Sequence, residues 1–291
     1  MLFRKITIVG TGLLGGSLAL ALRARGLAAI VRGYVRREAA VTECERAGLA
    51  DYATTDLAEA VHDADLVILG TPLAQMRGLA EQFLPMLKPG VLVSDVGSVK
   101  ASVVAEIEPL VTKAGGHFVG AHPMAGGEQS GVGAARADLF ANAVCILTPT
   151  ATTNAAAQKK IEELWRALGS RLLVMTPQLH DELVARSSHL PHALASALAG
   201  YVLRPEHPKE QPQLCASGFR DTTRVASGSP EMWRDIALAN RVPLARALSE
   251  VIESLQQLQR AVAAGDAAAI EKFHSTAKQR RDAWCGQAAQ E

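Results

Sequence analysis

The chain has 291 residues, 48% of them hydrophobic, and carries 30 Lys and Arg against 29 Asp and Glu for a formal charge of +1. That length and apolar fraction suit one large folded domain or two of ordinary size, and the balanced charge leaves no field to draw the protein to nucleic acid or to an acidic membrane. Cys44, Cys145, Cys215 and Cys285 are scattered and form no CxxC pair, so reduced thiols are expected in place of a disulfide framework or a zinc knuckle.

The opening MLFRKITIVG shows no basic segment leading through an apolar stretch to a small-residue cleavage site. No apolar run reaches the ~20 residues of a membrane helix. A cytoplasmic protein is expected, with neither nucleic acid nor membrane as partner.

From Ile6 to about Pro177, short apolar runs alternate with helical patterns. ITIVG, VRGYV, DLVILGTP, VLVSDVGS, HFVGAHP, VCILTP and RLLVMTP read as strands, apolar on both faces as strands covered by helices are. Residues 14–25, 37–47, 57–64, 75–87 and 99–114 read as helices, three of them closed by Gly26, Gly48 and Gly115. This predicts a doubly wound α/β domain. After Pro177 the strand signals stop, and residues 178–203, 214–227, 230–264 and 266–285 read as helices, with the proline-rich RPEHPKEQPQ as a loop. The expected division is an α/β domain over 1–177 and an all-α domain over 178–291. Apolar stripes such as that of VPLARALSEVIESLQQLQRAV must be buried, within the helical domain or in part against a second copy.

Gly10-Thr11-Gly12-Leu13-Leu14-Gly15 is a GxGxxG turn directly after a strand and at the opening of a helix. Gly10 permits the tight turn, Gly12 lets backbone approach a pyrophosphate, and Gly15 lets helix and strand pack closely; the first-turn N–H groups then face the phosphates. Alone the pattern is weak, but the first strand–turn–helix unit of an alternating chain is the context that gives it meaning. About 20 residues on, an NAD site places an acid on the ribose, whereas an NADP site uses arginine. Here Val35 stands in the acid's place and Arg36 and Arg37 follow, so NADP is the expected cofactor with NAD possible.

Ser94–Lys100 (SDVGSVK) and the segment AHPMAGGE from Ala121 lie at carboxyl ends of predicted strands, where open α/β sheets bind ligands; Thr71-Pro72 faces the same crevice. His122, fixed by Pro123, has an ordinary pKa of about 6.5 that suits proton removal near neutrality. His189 and His192 are three apart on a helix, but no third ligand at a diagnostic spacing accompanies them, so no metal is expected. GFRDTTR, from Gly218, is dense in anion-binding residues; an internal ion-pair network through Asp221 is the alternative.

In this order GTGLLGGS, SDVGSVK, AHPMAGGEQSG, SHLPHALA and GFRDTTRVASG resemble the prephenate dehydrogenase family, including its arogenate and cyclohexadienyl relatives, over nearly the whole chain. The resemblance implies a Rossmann domain followed by a helical dimerisation domain, a homodimer, and oxidative decarboxylation of prephenate to 4-hydroxyphenylpyruvate in tyrosine biosynthesis. It implies His122 as acceptor of the ring hydroxyl's proton, Ser98 as its orienting partner, and Arg224 as the holder of the ring carboxylate. It also implies His192 and Glu128 as substrate contacts, with Arg220 and Trp233 as further pocket residues and Asp181 and His189 as supports behind them. Gly10, Gly12, Leu14, Gly15, Thr71 and Pro72 fall on the cofactor side. The chain stops soon after Cys285, so no separate regulatory domain is expected. The alternatives are arogenate or broad cyclohexadienyl substrates and, from another class, a non-catalytic NADP-binding sensor.

Overall fold

The computed structural model describes residues 1–127 and 131–288. Its N-terminal part is built on a six-stranded parallel sheet of β1 (Phe3–Val9), β2 (Ala28–Tyr34), β3 (Tyr52–Thr54), β4 (Leu66–Leu69), β5 (Leu92–Asp95) and β6 (His117–Val119), in the order β3-β2-β1-β4-β5-β6. The connecting helices are α1 (Leu13–Ala24), α2 (Glu38–Arg46), α3 (Leu57–Val61), α4 (Leu73–Phe83) and α5 (Ala101–Lys113). The order reverses between β1 and β4, so the carboxyl ends there flank the crevice of a dinucleotide-binding Rossmann sheet. Alternate residues serve opposite layers: Ile6, Ile8, Leu66 and Ile68 enter one apolar core, Val9, Val67 and Leu69 the other. Burial on both faces is why these strands read as unbroken apolar runs. β3 was not expected, because three residues are too short to show a period.

HFVGAHP does not form one strand. It breaks at Gly120 into β6 and β7 (Ala121–Pro123), and β7 starts a second sheet, β7-β8-β9, with β8 (Val144–Leu147) antiparallel to β7 and parallel to β9 (Arg171–Val174). A Cβ at position 120 would stand 2.6 Å from Thr148 Oγ1 and 2.9 Å from Val104 Cγ2, so the hand-over between sheets requires glycine. α6 (Ala155–Ala167) connects β8 to β9 and opens on Asn154, whose Oδ1 accepts from Ala157 N at 2.9 Å.

The helices then begin with α7 (Pro177–Val184), joined to α8 (Leu190–Val202) by a π-helical turn, Ala185–His189. A single helix over 178–203 was expected; Pro191 has no N–H to donate to the Ser187 carbonyl, and the backbone widens for one turn just before it. α9 (Ser217–Thr223) runs into a 3-10 turn, Arg224–Ser227, and α10 (Pro230–Ala239) follows. The expected continuous helix over 230–264 is also broken, at Asn240, which leaves helical geometry at φ −108° and ψ 31°.

By compactness the chain divides into Met1–Arg241 and Val242–Glu291, whereas the change from α/β to all-α falls between β9 and α7. The second unit holds α11 (Arg241–Ala264) from its second residue and α12 (Ala267–Ala288), and its exposed apolar side chains include Ile252, Leu255, Val262 and Trp284. No helix of the described residues is long and apolar enough to cross a membrane.

Candidate active site

β1 passes into α1 through the glycine turn. Gly10 has φ +97°, a conformation L side chains rarely adopt. A Cβ on Gly15 would lie 1.9 Å from Gly10 O, a collision of backbone with side chain that nothing flexible can relieve. Gly12, in contrast, has nothing within 4 Å of its Cβ position and caps α1 with no side-chain hydrogen bond. The first-turn N–H groups are therefore left for an anion.

A cleft of about 300 Å³ opens beside this turn, lined among others by Gly10, Gly12, Arg36, Arg37, Thr71 and Pro72. Thr71 Oγ1 is buried there without a hydrogen-bond partner, a polar atom that a ligand hydroxyl or amide would satisfy. Val35 is buried at the end of β2, and Arg36 and Arg37 are exposed. The open approach at Gly12, the free helix terminus and the orphaned hydroxyl fit a dinucleotide. Leu14 is placed differently from the other cofactor-side residues: its side chain packs on the apolar core.

One strand along the same sheet edge, β5 leads into Val96-Gly97-Ser98-Val99-Lys100. Asp95 and Lys100 are fully buried and form an ion pair. Asp95 also accepts from Gly97 N at 2.8 Å and Ala121 N at 3.2 Å, and Lys100 Nζ donates to Ala121 O at 3.0 Å. With its remaining polar atoms paired, the buried couple is tolerated. It fastens the loop carrying Ser98, half-buried, to the residue before His122.

His122 is 7% exposed, and its Nδ1 lies 2.7 Å from Nε2 of His180. Burial first, then His180, Lys100 and His189, holds its pKa well below the usual 6.5, so the ring is uncharged at neutral pH. His180 Nδ1 in turn lies 2.7 Å from Asp181 Oδ1. Asp181 caps α5 from outside it, accepting from Lys100 N at 2.8 Å and Ala101 N at 2.9 Å.

The network continues into the helices. Asn240 Nδ2 donates to Asp181 O at 2.9 Å and lies 3.0 Å from His189 Nδ1. His189 is 2% exposed, its Nε2 is buried without a partner, and burial lowers its pKa to about 4. His192 stacks on Trp233 with ring centroids 3.7 Å apart, and its Nδ1 is 2.9 Å from Ser188 O. The structure thus gathers His122, Asp181, His189, His192 and Trp233 into one network around α7 and α8.

Arg224 opens the 3-10 turn that packs against α8, and that turn ends at Gly228, where a Cβ would stand 2.5 Å from Trp233 Nε1. Arg220 is exposed on α9. Glu128 lies outside the described residues. His180, Asn240, Asp95 and Lys100 are site residues that the sequence motifs alone do not assign. The adjacent acid and histidine at 180–181, and the acid and lysine five apart around Gly97, were the available signals.

A family model described as prephenate dehydrogenase, nucleotide-binding domain, matches residues 18–174, and one described as prephenate dehydrogenase, dimerization domain, matches residues 176–279. The cyclohexadienyl dehydrogenase of Zymomonas mobilis is 38% identical over 282 residues, covering 96% of this chain and 95% of that protein. The prephenate dehydrogenase of A. aeolicus, solved in complex with hydroxyphenyl propionate and NAD+, matches with a TM-score of 0.88 at 32% identity, over 96% of this chain and 98% of that one. The arogenate dehydrogenase of Synechocystis matches with a TM-score of 0.81 at 31% identity, over 96% and 99%. Family models over residues 18–174 and 176–279, together with likeness to these relatives over 96% of the chain in sequence and in backbone alike, make the chain a member of the prephenate dehydrogenase family and a dehydrogenase.

Proposed function

We propose that this chain oxidises and decarboxylates prephenate to 4-hydroxyphenylpyruvate, with NADP preferred over NAD, as a cytoplasmic homodimer. The observation that carries the chemistry is the buried, uncharged imidazole of His122, tied through Asp95 and Lys100 to the Ser98 loop on the same sheet edge as the glycine turn. In this reading His122 Nε2 accepts the proton of the substrate's ring hydroxyl, and the Ser98 hydroxyl orients that group. The Arg224 guanidinium holds the ring carboxylate until carbon dioxide departs, and aromatisation of the ring supplies the drive. His192, flat on Trp233, and Arg220 complete the substrate pocket from the helices. A bound nicotinamide dinucleotide supplies the hydride acceptor.

The NADP preference rests on Arg36 and Arg37, which line the cleft where the second strand ends on buried Val35. The A. aeolicus relative was solved with NAD+, so NAD is the competing cofactor. A broad cyclohexadienyl specificity is the second reading of the substrate, favoured by the Zymomonas relative. The homodimer is supported by the dimerization-domain model over residues 176–279 and by exposed apolar residues within it, Ile252, Leu255 and Val262.

Steady-state kinetics with prephenate and arogenate, each with NAD and NADP, tests all of this. The expected result is the highest kcat/KM for prephenate with NADP. Equal efficiency on arogenate establishes the broad reading, and silence with all four pairs establishes a non-catalytic sensor. His122→Asn is expected to lower kcat by about 10²–10⁴-fold with KM nearly unchanged, while Arg224→Ala mainly raises KM for prephenate.

A further inference from the structure

Behind His122 stand two side chains shielded from solvent, His180 at 0% and Asp181 at 2% exposure. The order of donors among the three groups follows from the carboxylate outward. A carboxylate only accepts, so His180 carries its proton on Nδ1, 2.7 Å from Asp181 Oδ1. Its Nε2 is then bare and must itself accept, which makes His122 Nδ1, at 2.7 Å, the donor. His122 is left with its lone pair on Nε2, the atom the proposed reaction needs.

The anchor of this chain of rings does not shift easily. Asp181 is held by the N–H groups of Lys100 and Ala101 at 2.8 and 2.9 Å, in the first turn of α5, and Asn240 holds its backbone carbonyl at 2.9 Å. The charged and titratable groups around His122 are unequal. Lys100, paired to Asp95, and His189 both oppose a cation there, and the Cys145 thiol is held protonated by burial. Among the described residues, Asp181 is the carboxylate that touches His180, and no ammonium pairs with it.

We propose that His180 is the positioning residue through which His122 works, fixing its tautomer and taking its second proton. As the substrate hydroxyl proton reaches His122 Nε2, the Nδ1 proton of His122 passes to His180 Nε2. One O–H and one N–H bond break and two N–H bonds form. His122 ends neutral in the opposite tautomer, and the positive charge rests on His180 against Asp181. The cation is thereby displaced from a ring facing Lys100 to one facing a carboxylate.

This proposal rests on His122 being the base, and the test separates the two. In His180→Gln the side-chain oxygen can still accept from His122 Nδ1 but cannot take up a proton. The expected result is a fall in kcat on the order of 10–100-fold, with KM for substrate and cofactor within about threefold by the same reasoning on unchanged binding. In mixed light and heavy water, the wild-type single-turnover rate bows below a straight line and that of the variant becomes straight. Nitrogen NMR of the His122 ring in the unmodified protein, which requires neither substrate nor the variant, is expected to show the proton on Nδ1. A ring protonated on Nε2, or a His180→Gln enzyme with wild-type kcat and a wild-type isotope curve, overturns the proposal. If His122→Asn loses activity while His180→Gln keeps it, the relay alone is wrong. If His122→Asn keeps activity, the assignment of the base is wrong as well.

Discussion

At the dinucleotide cleft the decisive contacts are made by backbone: Gly15 packed under Gly10, the bare first turn of α1, and Gly12 facing open space. At His122 they are made by side chains drawn from four separate segments, with Lys100 and Asp95 reaching Ala121, Asp181 reaching the start of α5, and Asn240 reaching His189. The first region needs only residues five apart and a helix terminus. The second exists only after the α/β part and the first helices have packed. A change at the cleft can therefore leave the fold alone, whereas a change in the network strikes stability and chemistry together.

The largest effect is expected where the network is most deeply buried. Lys100→Met leaves the Asp95 carboxylate enclosed without its cation, and should cost about 3–5 kcal/mol in denaturant unfolding. Acidification comes next. His189 has a folded-state pKa near 4, against about 6.5 when unfolded, so below pH 6.5 the unfolded chain binds a proton that the folded one refuses. Stability is therefore full above pH 6.5 and declines as pH falls, by roughly 3 kcal/mol at pH 4 from this residue. His122 is displaced in the same direction and steepens the fall. Thermal midpoints measured from pH 7 to pH 4 check this, and His189→Gln should flatten the slope.

Two glycine changes sharpen the contrast within the cleft. Gly15→Ala forces a methyl into Gly10 O and should destabilise by about 1–3 kcal/mol. Gly12→Ala meets nothing, so its melting should match that of the unaltered protein while KM for the dinucleotide rises about tenfold, the methyl standing where a phosphate approaches. The smallest effect is reserved for the exposed arginines. The double change Arg36→Ala and Arg37→Ala should leave stability within about 0.5 kcal/mol and erase the preference for NADP over NAD in kcat/KM.

The same contrast governs how much could be read from the amino acids in order. The glycine turn, the alternation of β1, β2, β4 and β5 with helices and the stop signals at Gly26, Gly48 and Gly115, each with positive φ, are local patterns and stand where they were expected. The split of HFVGAHP was hidden because both halves are equally apolar, and only the approach of Thr148 and Val104 to Gly120 decides it. The helix breaks at 185–189 and at Asn240 were hidden for a related reason: each is set by Pro191 acting backward along the helix or by a side chain bonded 51 and 59 residues away. His122 could be singled out from its place after a strand. His180 is marked in the sequence only by its neighbour Asp181, since a histidine on an amphipathic helix shows its remote partner only in three dimensions.

The π turn at Ala185–His189 holds one residue more than an α-helix of the same rise would need. That surplus residue sets the phase between His180 and Asp181 upstream and His192 downstream. Winding the same five residues as ordinary α-helix, with the surplus residue no longer absorbed by the wide turn, would swing the two sides about 100° relative to each other, parting the imidazole on Trp233 from the pair behind the base without altering a single functional side chain.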